Sequence, residues 1–169
     1  MKHLFTSLLF CCLATGGIEA RQLVPQTQEE TAPAHILFEG IELKGDIFEY
    51  SKEMQQHGYK LERRDNNARD YYFKGNVCGV STRFKVSFTR HSKTVYRVMA
   101  QPKNLPLDVL LDTLNARYGE PADFTDQRYF WQLPTGAVML STPVGYDPTL
   151  VFMDAVGVAA FKDEDSRQR

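Results

Sequence analysis

Cysteine is scarce in this chain, and the positions of the few cysteines exclude a disulfide-stabilised fold. Cys11 and Cys12 lie near the first residue, whereas Cys78 stands alone in the remaining sequence. A single cysteine has no intramolecular partner, so the chain after residue 20 cannot form an internal disulfide bond. Proline and glycine are also few, with 8 and 11 of 169 residues, which excludes collagen-like and low-complexity chains. The fold must therefore be stabilised by packing.

Long apolar runs and an excess of charge of one sign are absent as well. No stretch after residue 20 approaches the roughly 18 apolar residues that a membrane-spanning helix needs, so we predict no transmembrane segment. The formal net charge is -1 and no nucleic-acid-binding signature occurs, so we do not expect a nucleic-acid partner. What is present is a hydrophobic fraction of 43%, which is enough for one globular domain with its own core.

Residues 1–20 are typical of a secretory signal peptide. Lys2 precedes an apolar run over residues 4–14, and Ala20 is a small residue at which the leader can be cleaved. The two early cysteines lie inside the apolar run and do not follow a small residue at its end. We therefore interpret them as hydrophobic residues of the signal peptide, and we expect an exported protein that is periplasmic or secreted.

The rest of the chain divides into three parts. Residues 21–35 are polar and contain proline, which predicts a flexible lead-in. Residues 36–161 carry regular hydrophobic periodicity and predict a single folded domain. Residues 162–169 predict a charged tail that frays.

Two helices are predicted from apolar residues at helical spacing. The first covers residues 46–57, because Asp46 is a good helix cap and Gly58 a good terminator. The second starts near Leu105, because Pro106 is tolerated in the first turn of a helix, carries a stripe of leucines and ends at Gly119.

Seven strands are predicted from alternating apolar and polar residues. The run 82–88 is the clearest, with apolar side chains on one side and charged or polar side chains on the other. The predicted strands cover residues 59–62, 71–74, 82–88, 94–101, 127–133, 136–142 and 149–153. Gly75 and Asn76 are interpreted as a turn. Residues 154–161 fit either a last strand or a helical turn capped by an aspartate.

The order of helix and then strands occurs twice, which predicts an α+β fold. We expect two related halves, each a helix plus an antiparallel meander, over residues 36–103 and 104–161. Each half alone would bury little apolar surface, so the two should share one sheet or core. Tyr129 and Trp131 fall on one side of a predicted strand and are expected in that core.

Two resemblances follow from this order of elements. The acid-capped helix followed by a meander, behind a signal peptide, resembles the β-lactamase inhibitor protein type of fold over residues 36–153. The run Leu114-Asn115-Ala116-Arg117-Tyr118-Gly119-Glu120-Pro121 before Tyr129-Phe130-Trp131 is similar to the helix-to-strand junction of small outer-membrane assembly lipoproteins. Both resemblances imply binding rather than catalysis.

Candidate catalytic residues are few. Cys78 and a histidine at 35, 57 or 91 would suit a nucleophile and its base, but Cys78 lies in an apolar, strand-like run, and we interpret it as a buried, unreactive structural residue. No His-x-x-x-His, Cys-x-x-Cys, calcium loop or phosphate-binding glycine loop occurs, so we predict no metal and no cofactor. A small hydrolase that uses Cys78 or unpaired acids is kept as an alternative.

The distribution of charge is uneven although the net charge is small. Residues 60–103 contain eleven basic and three acidic residues, a net charge of +8, whereas residues 21–59 and 104–169 carry -4 and -5. The first meander is therefore strongly basic between acidic flanks. Such a surface either binds an anionic partner or is an ordinary solvated face that acids of the second half neutralise.

Alternation places part of this charge on the side of the sheet away from the core. Four residues are the candidate binding residues: Arg83, Lys85, Arg97 and Lys74. Arg97 fits least well, because Val95 and Met99 share its side. Either that strand is covered on both faces, or its register is the reverse of the one assumed here.

These observations predict an exported, non-enzymatic binding or inhibitor-like protein that recognises a partner or an anionic ligand through an open sheet face. The partner would be a protein or an anionic glycan or lipid. The alternatives are an accessory or assembly protein of the cell envelope and the small hydrolase. The sequence does not determine the oligomeric state.

Overall fold

The computed structural model describes residues 34–167. The predicted signal peptide, residues 21–33 of the predicted lead-in, and the last two residues lie outside the described residues. Within residues 34–167 the chain has an α+β fold, as predicted, with three helices, a large antiparallel sheet of eight strands and a small sheet of two. None of the helices in this part of the chain is long and apolar enough to cross a membrane.

The helices and strands follow one another in two similar series. The first series is β1 (Leu37–Phe38), β2 (Ile41–Glu42), α1 (Ile47–Gln56), β3 (Lys60–Asp65), β4 (Asp70–Val77), β5 (Val80–Phe88) and β6 (Val95–Ala100). The second series is α2 (Leu107–Tyr118), β7 (Asp123–Thr125), β8 (Arg128–Leu133), β9 (Gly136–Ser141), β10 (Thr149–Asp154) and α3 (Ala155–Ser166).

The two series join in one sheet. Its strand order is β3-β4-β5-β6-β10-β9-β8-β7, so each meander places its last strand at the centre. There β6 and β10 pair antiparallel, with Val98 opposite Phe152 and Ala100 opposite Leu150. The halves therefore share a single sheet, which is one of the two arrangements that the sequence predicts.

The core lies between one side of this sheet and the helices α1 and α2. Phe38 of the small hairpin β1–β2 is at its centre, with ring centroids 5.0 Å from Phe84 and 5.1 Å from Phe152. Trp131 is buried, as expected, and donates its indole N–H to the Gly119 carbonyl at 2.8 Å. Buried residues of α1 and α2 complete the core: Ile47, Tyr50, Met54, Leu110 and Leu114.

Aspartates cap the first and last helices. Asp46 accepts hydrogen bonds from the backbone N–H groups of Phe48 and Glu49 at the start of α1, as the sequence predicts. Asp154 accepts from the N–H of Gly157, so the segment that fits either a strand or a helical turn is a helix. This helix continues to Ser166, so the expectation of a separate tail from residue 162 is wrong.

Two further expectations from the sequence are corrected. Gly75 and Asn76 lie inside β4 and do not form a turn. The reason for glycine at 75 is close packing, because a Cβ atom there would lie 2.2 Å from the Tyr59 ring. The short edge strand β7 was not predicted, because its three exposed residues carry no apolar alternation.

The carboxylate of Glu164 attaches α3 to the loop between β5 and β6. It accepts hydrogen bonds from the N–H groups of His91 and Ser92, both at 2.9 Å, and from the Ser92 hydroxyl. Desolvation raises the pKa of Glu164, but these hydrogen bonds outweigh it and lower the pKa to about 2. The ionised carboxylate therefore stabilises the packed position of α3.

Replacing Asp154 with alanine should strongly destabilise the fold. Asp154 is 1% exposed and also accepts from the Ile36 N–H at 3.1 Å, so its loss leaves two backbone donors without their partner. We expect Asp154→Ala to lower the free energy of unfolding by about 3 kcal/mol in urea titrations. The variant Asp46→Ala, at a cap residue that is only partly buried, is the control and should lose about 1 kcal/mol. Equal effects of the two substitutions would contradict the buried role of Asp154.

Glu164 should give the stability a dependence on acid pH. Its folded-state pKa of about 2 lies below the ordinary value of 4.5, so its contribution is complete above pH 4.5 and is lost as the pH falls towards 2. Urea titrations should find wild type more stable than Glu164→Gln at pH 7, with a difference that shrinks at pH 3. A difference that is independent of pH would contradict this assignment.

Candidate functional site

The side of the large sheet opposite α1 and α2 is the candidate site, and we call it the open face. In an antiparallel sheet, residues directly opposite each other on neighbouring strands point to the same side. The register therefore arranges the side chains of the open face in rows that cross the strands. Two of these rows have distinct chemistry.

One row is polar and begins with three cations. Lys60 of β3 pairs directly with Lys74 of β4, which pairs directly with Arg83 of β5. Farther along, Gln101 donates a hydrogen bond to the Thr149 hydroxyl at 3.2 Å. We call the following residues the polar row: Lys60, Lys74, Arg83, Gln101, Thr149, Ser141 and Arg128.

The next row is apolar across the middle of the sheet. Met99 of β6 pairs with Val151 of β10, which pairs with Met139 of β9, and Met139 pairs with Phe130 of β8. These four residues are the apolar row. Val151 is buried, whereas the two methionines and the phenylalanine are partly exposed.

All four residues predicted from the sequence lie on the open face. Lys74 and Arg83 belong to the polar row, and Lys85 pairs with Tyr72 and with Met99 at the start of the apolar row. Arg97 pairs with Ser87.

A β-bulge explains why Arg97 fitted the simple alternation poorly. Ser87 pairs with Arg97 but Phe88 pairs with Val95, so Tyr96 is the extra residue of the bulge. Val95 is consequently buried in the core with Phe88, while Arg97 stays on the open face. Val95 and Arg97 therefore point to opposite sides of the sheet, whereas simple alternation would place them on the same side.

The acids that balance the predicted cations belong to the same meander. Arg83 Nε lies 2.9 Å from Glu62 Oε2, and Lys85 Nζ lies 3.2 Å from Asp70 Oδ2. The alternative in which acids of the second half neutralise these two residues is therefore wrong. The Arg83 side chain is 79% exposed, so solvent screens its pair and leaves most of its charge available.

Three other lysines of this region have no such balance among the described ion pairs. Among residues 34–167, none of the ion pairs involves Lys60, Lys74 or Lys103. Lys103 lines the same depression of about 400 Å³ as Lys74 and Arg83. The result is a local excess of positive charge at one corner of the open face.

Sequence reasoning missed part of this cluster. Lys60 lies in a predicted strand, but its position opposite Lys74 depends on the register of two strands, which alternation alone does not determine. Lys103 lies beyond the end of β6 and follows Pro102, so no periodicity points to it. The only signal in the sequence was the net charge of the segment.

Arg97 lies at the other end of the basic region, near the start of β6. Its Nη2 donates to the Ser87 hydroxyl at 3.2 Å, and the same hydroxyl donates to the Asp70 carboxylate. Its guanidinium also lies over the Tyr96 ring, which stacks on Phe161 of α3 at 4.7 Å. Arg97 is therefore held between the sheet and α3, and it is a less accessible binding residue than Arg83.

The open face offers shallow depressions and no assembled catalytic group. A depression of about 250 Å³ is lined by Tyr72, Arg83, Lys85, Met99 and Gln101. The described residues include no cluster of three or more histidine, cysteine or carboxylate side chains that could hold a metal ion. This arrangement can attract and hydrogen-bond an anionic group, whereas the Ser87 hydroxyl that contacts the Asp70 carboxylate is buried and also accepts from Arg97.

Cys78 lies elsewhere, in the tight turn between β4 and β5. It has φ of 50° and is followed by Gly79 with φ of 84°, as in a two-residue hairpin turn, so its expected position within a strand is corrected. Its Sγ lies 3.8 Å from the Glu39 carboxylate, which is also bound by Arg117 at 2.8 Å. Burial, with Glu39 as a further cause, raises the pKa of the Cys78 thiol to about 11.

Comparison with known proteins gives no identification: no family model, no curated protein and no solved structure matches this chain. The resemblance to the β-lactamase inhibitor protein type therefore stays a prediction. The function has to be argued from the residues of the open face.

The Cys78 thiol should react slowly in the native protein. Its pKa of about 11 leaves little thiolate at pH 7.5, and the residue is 9% exposed. We expect iodoacetamide to modify the peptide that contains Cys78 at least tenfold more slowly in buffer than in urea, as followed by mass spectrometry. Rapid native labelling would revive the nucleophile hypothesis, and Cys78→Ser would then be tested for loss of function.

Proposed function

We propose that this protein is a non-enzymatic binding protein that recognises a negatively charged partner through the open face. The basic part of the polar row, Lys60, Lys74 and Arg83, together with Lys103, would make the contact. Export of the protein remains a prediction from residues 1–20, and it is compatible with this function.

The direct register of Lys60, Lys74 and Arg83 is the observation that carries the proposal. Like charges directly opposite each other on neighbouring strands destabilise a sheet. Only Glu62 offsets this row through an ion pair among the described residues. An anionic group bound across the three strands would remove the repulsion, so binding and relief of the unfavourable charge would occur together.

A binding role is favoured over hydrolysis by the surroundings of the titratable groups. The Cys78 thiol is next to a carboxylate and an arginine, and its raised pKa disfavours the thiolate. The two depressions of the open face that contain Arg83 are lined by cations, hydroxyls, an amide and apolar side chains. Such a surface suits recognition of a charged group more than acid–base chemistry.

Charge reversal at Lys74 and Lys103 tests the proposed function. Both residues are exposed and outside the ion pairs described above, so the double variant should keep its melting temperature within a few degrees. Lys85 is unsuitable for reversal, because a carboxylate there would face Asp70. The matched control is Lys52→Glu, an exposed lysine of α1 on the other side of the sheet.

The probes are a decaglutamate peptide and a sulfated oligosaccharide, with affinities measured by calorimetry at 20 mM and 200 mM NaCl. We expect binding at low salt that weakens at high salt, and a loss of at least tenfold in the Lys74→Glu/Lys103→Glu variant but not in Lys52→Glu. Failure of both probes to bind at low salt, or equal losses in both variants, would contradict the proposed function.

A further inference from the structure

The geometry points to a particular partner for the open face: an amphipathic helix of another protein that crosses the strands. Its apolar side would lie on the apolar row, and acidic residues near one end would contact the basic part of the polar row. This inference rests on the proposed function and narrows its partner to a protein.

The two rows run side by side across the same strands. They are two residues apart along each strand, which corresponds to about 7 Å. Met99 lies two positions from Gln101 on β6 and its continuation, and Met139 lies two positions from Ser141 on β9. A ligand that follows one row is therefore within reach of the other.

Depressions at both ends of the apolar row are lined by residues of both rows. One contains Met99 together with Arg83 and Gln101. The other, of about 320 Å³, contains Phe130 and Met139 together with Arg128. A small inorganic anion or a uniformly charged chain would leave the apolar half of each depression in contact with water, so an amphipathic ligand fits better.

Three of the four side chains of the apolar row, Met99, Met139 and Phe130, are partly exposed in the described part of the chain. α1 and α2 pack on the other side of the sheet, whereas α3 contacts β6, β10 and β9, with its Phe161 ring stacked on Tyr96. Along β6, Met99 lies three residues beyond Tyr96, the residue that Phe161 contacts. Its two methionines are flexible and polarisable, which suits contact with the side chains of another protein.

A helix matches the two rows better than an extended chain does. Alternate side chains of an extended segment point away from the surface, so such a segment presents a single row. A helix presents an apolar stripe and a flanking row at the same time. From Arg83 on β5 to Arg128 on β8 the sheet spans about 19 Å, the length of about 13 helical residues.

The charges of the open face favour one of the two directions in which that helix could cross the strands. The end over β4 and β5 meets Lys74, Arg83 and Lys103, whereas the end over β7 and β8 meets Asp123 and Asp126 beside Arg128. Acidic residues of the partner are therefore favourable at the first end and unfavourable at the second.

A glycan is a poorer fit to the same surface. Tyr72 lines the depression that contains Arg83, but the Arg63 guanidinium lies over its ring at 4.0 Å from the centroid. That ring is not free to stack on a sugar. The polar row alone would bind an anionic glycan, and the apolar row would contribute nothing.

The test uses two designed peptides of 16 residues and identical composition. The patterned peptide has a leucine stripe along one side of its helix, with glutamates confined to its first half. The rearranged peptide contains the same residues in an order that removes the stripe and keeps the net charge. A sulfated oligosaccharide and phosphatidylglycerol vesicles are the comparison probes, and affinities are measured with the full chain at 20 mM NaCl.

Two variants distinguish the contribution of the apolar row to binding from that of the basic cluster. Met99→Gln/Met139→Gln removes apolar character at nearly constant side-chain length, and Val144→Ser is its control, at a loop residue that is 82% exposed. Lys74→Glu/Lys103→Glu removes the basic cluster. Melting temperatures check that each variant is folded; if the double glutamine variant is unfolded, each single substitution replaces it.

We expect the patterned peptide to bind at least tenfold more tightly than the rearranged one and to lose most of this advantage in the glutamine variant, but not in Val144→Ser. Equal binding of the two peptides with no effect of the glutamine variant, while the lysine variant still weakens both, would overturn the helix inference and leave the proposed function intact. Binding of vesicles that depends on the methionines, without peptide binding, would also overturn it. Absence of binding by every probe would contradict both proposals.

Discussion

The antiparallel pairing of β6 with β10 is the contact on which the rest of the structure depends. It joins the last strands of the two meanders, so both helices α1 and α2 can pack on the same side of a single sheet. Val98, Ala100, Leu150 and Phe152 belong to this seam and are all buried. Because the core uses one side of the sheet, the other side retains side chains that the fold does not require for burial.

The charged side chains of that second side differ in whether the fold provides them with partners, and this difference supports the proposed role of the open face. Asp70 compensates Lys85 at 3.2 Å, and Ser87 links Asp70 to Arg97. The fold itself therefore supplies partners for these inner charges, except at Arg97 Nε, which is buried without a hydrogen-bond partner. Lys60 and Lys74 lack such partners among the described ion pairs. The inner network therefore orders the surface, while the outer cations are left to act on a partner.

The sequence predicts the local elements well and their assembly less well. Asp46 and the leucines of α2 identify their helices because caps and helical spacing are local signals. Gly75 was misread as a turn residue because close packing against Tyr59 is a tertiary contact. Alternation placed Arg83 and Lys85 on the correct side, but the cross-strand row of Lys60, Lys74 and Arg83 depends on register, which only the structure provides.

Methyl resonances of the methionines provide the most direct test of the open face as the recognition surface. Met99, Met139 and Met153 lie on that side of the sheet, whereas Met54 is buried between α1 and the core and reports on the opposite side. If the open face is the recognition surface, titration of the patterned peptide into methyl-labelled protein shifts the signals of Met99 and Met139 and leaves the Met54 signal unchanged. Saturable binding that shifts Met54 alone, or that leaves all four signals unchanged, would contradict it.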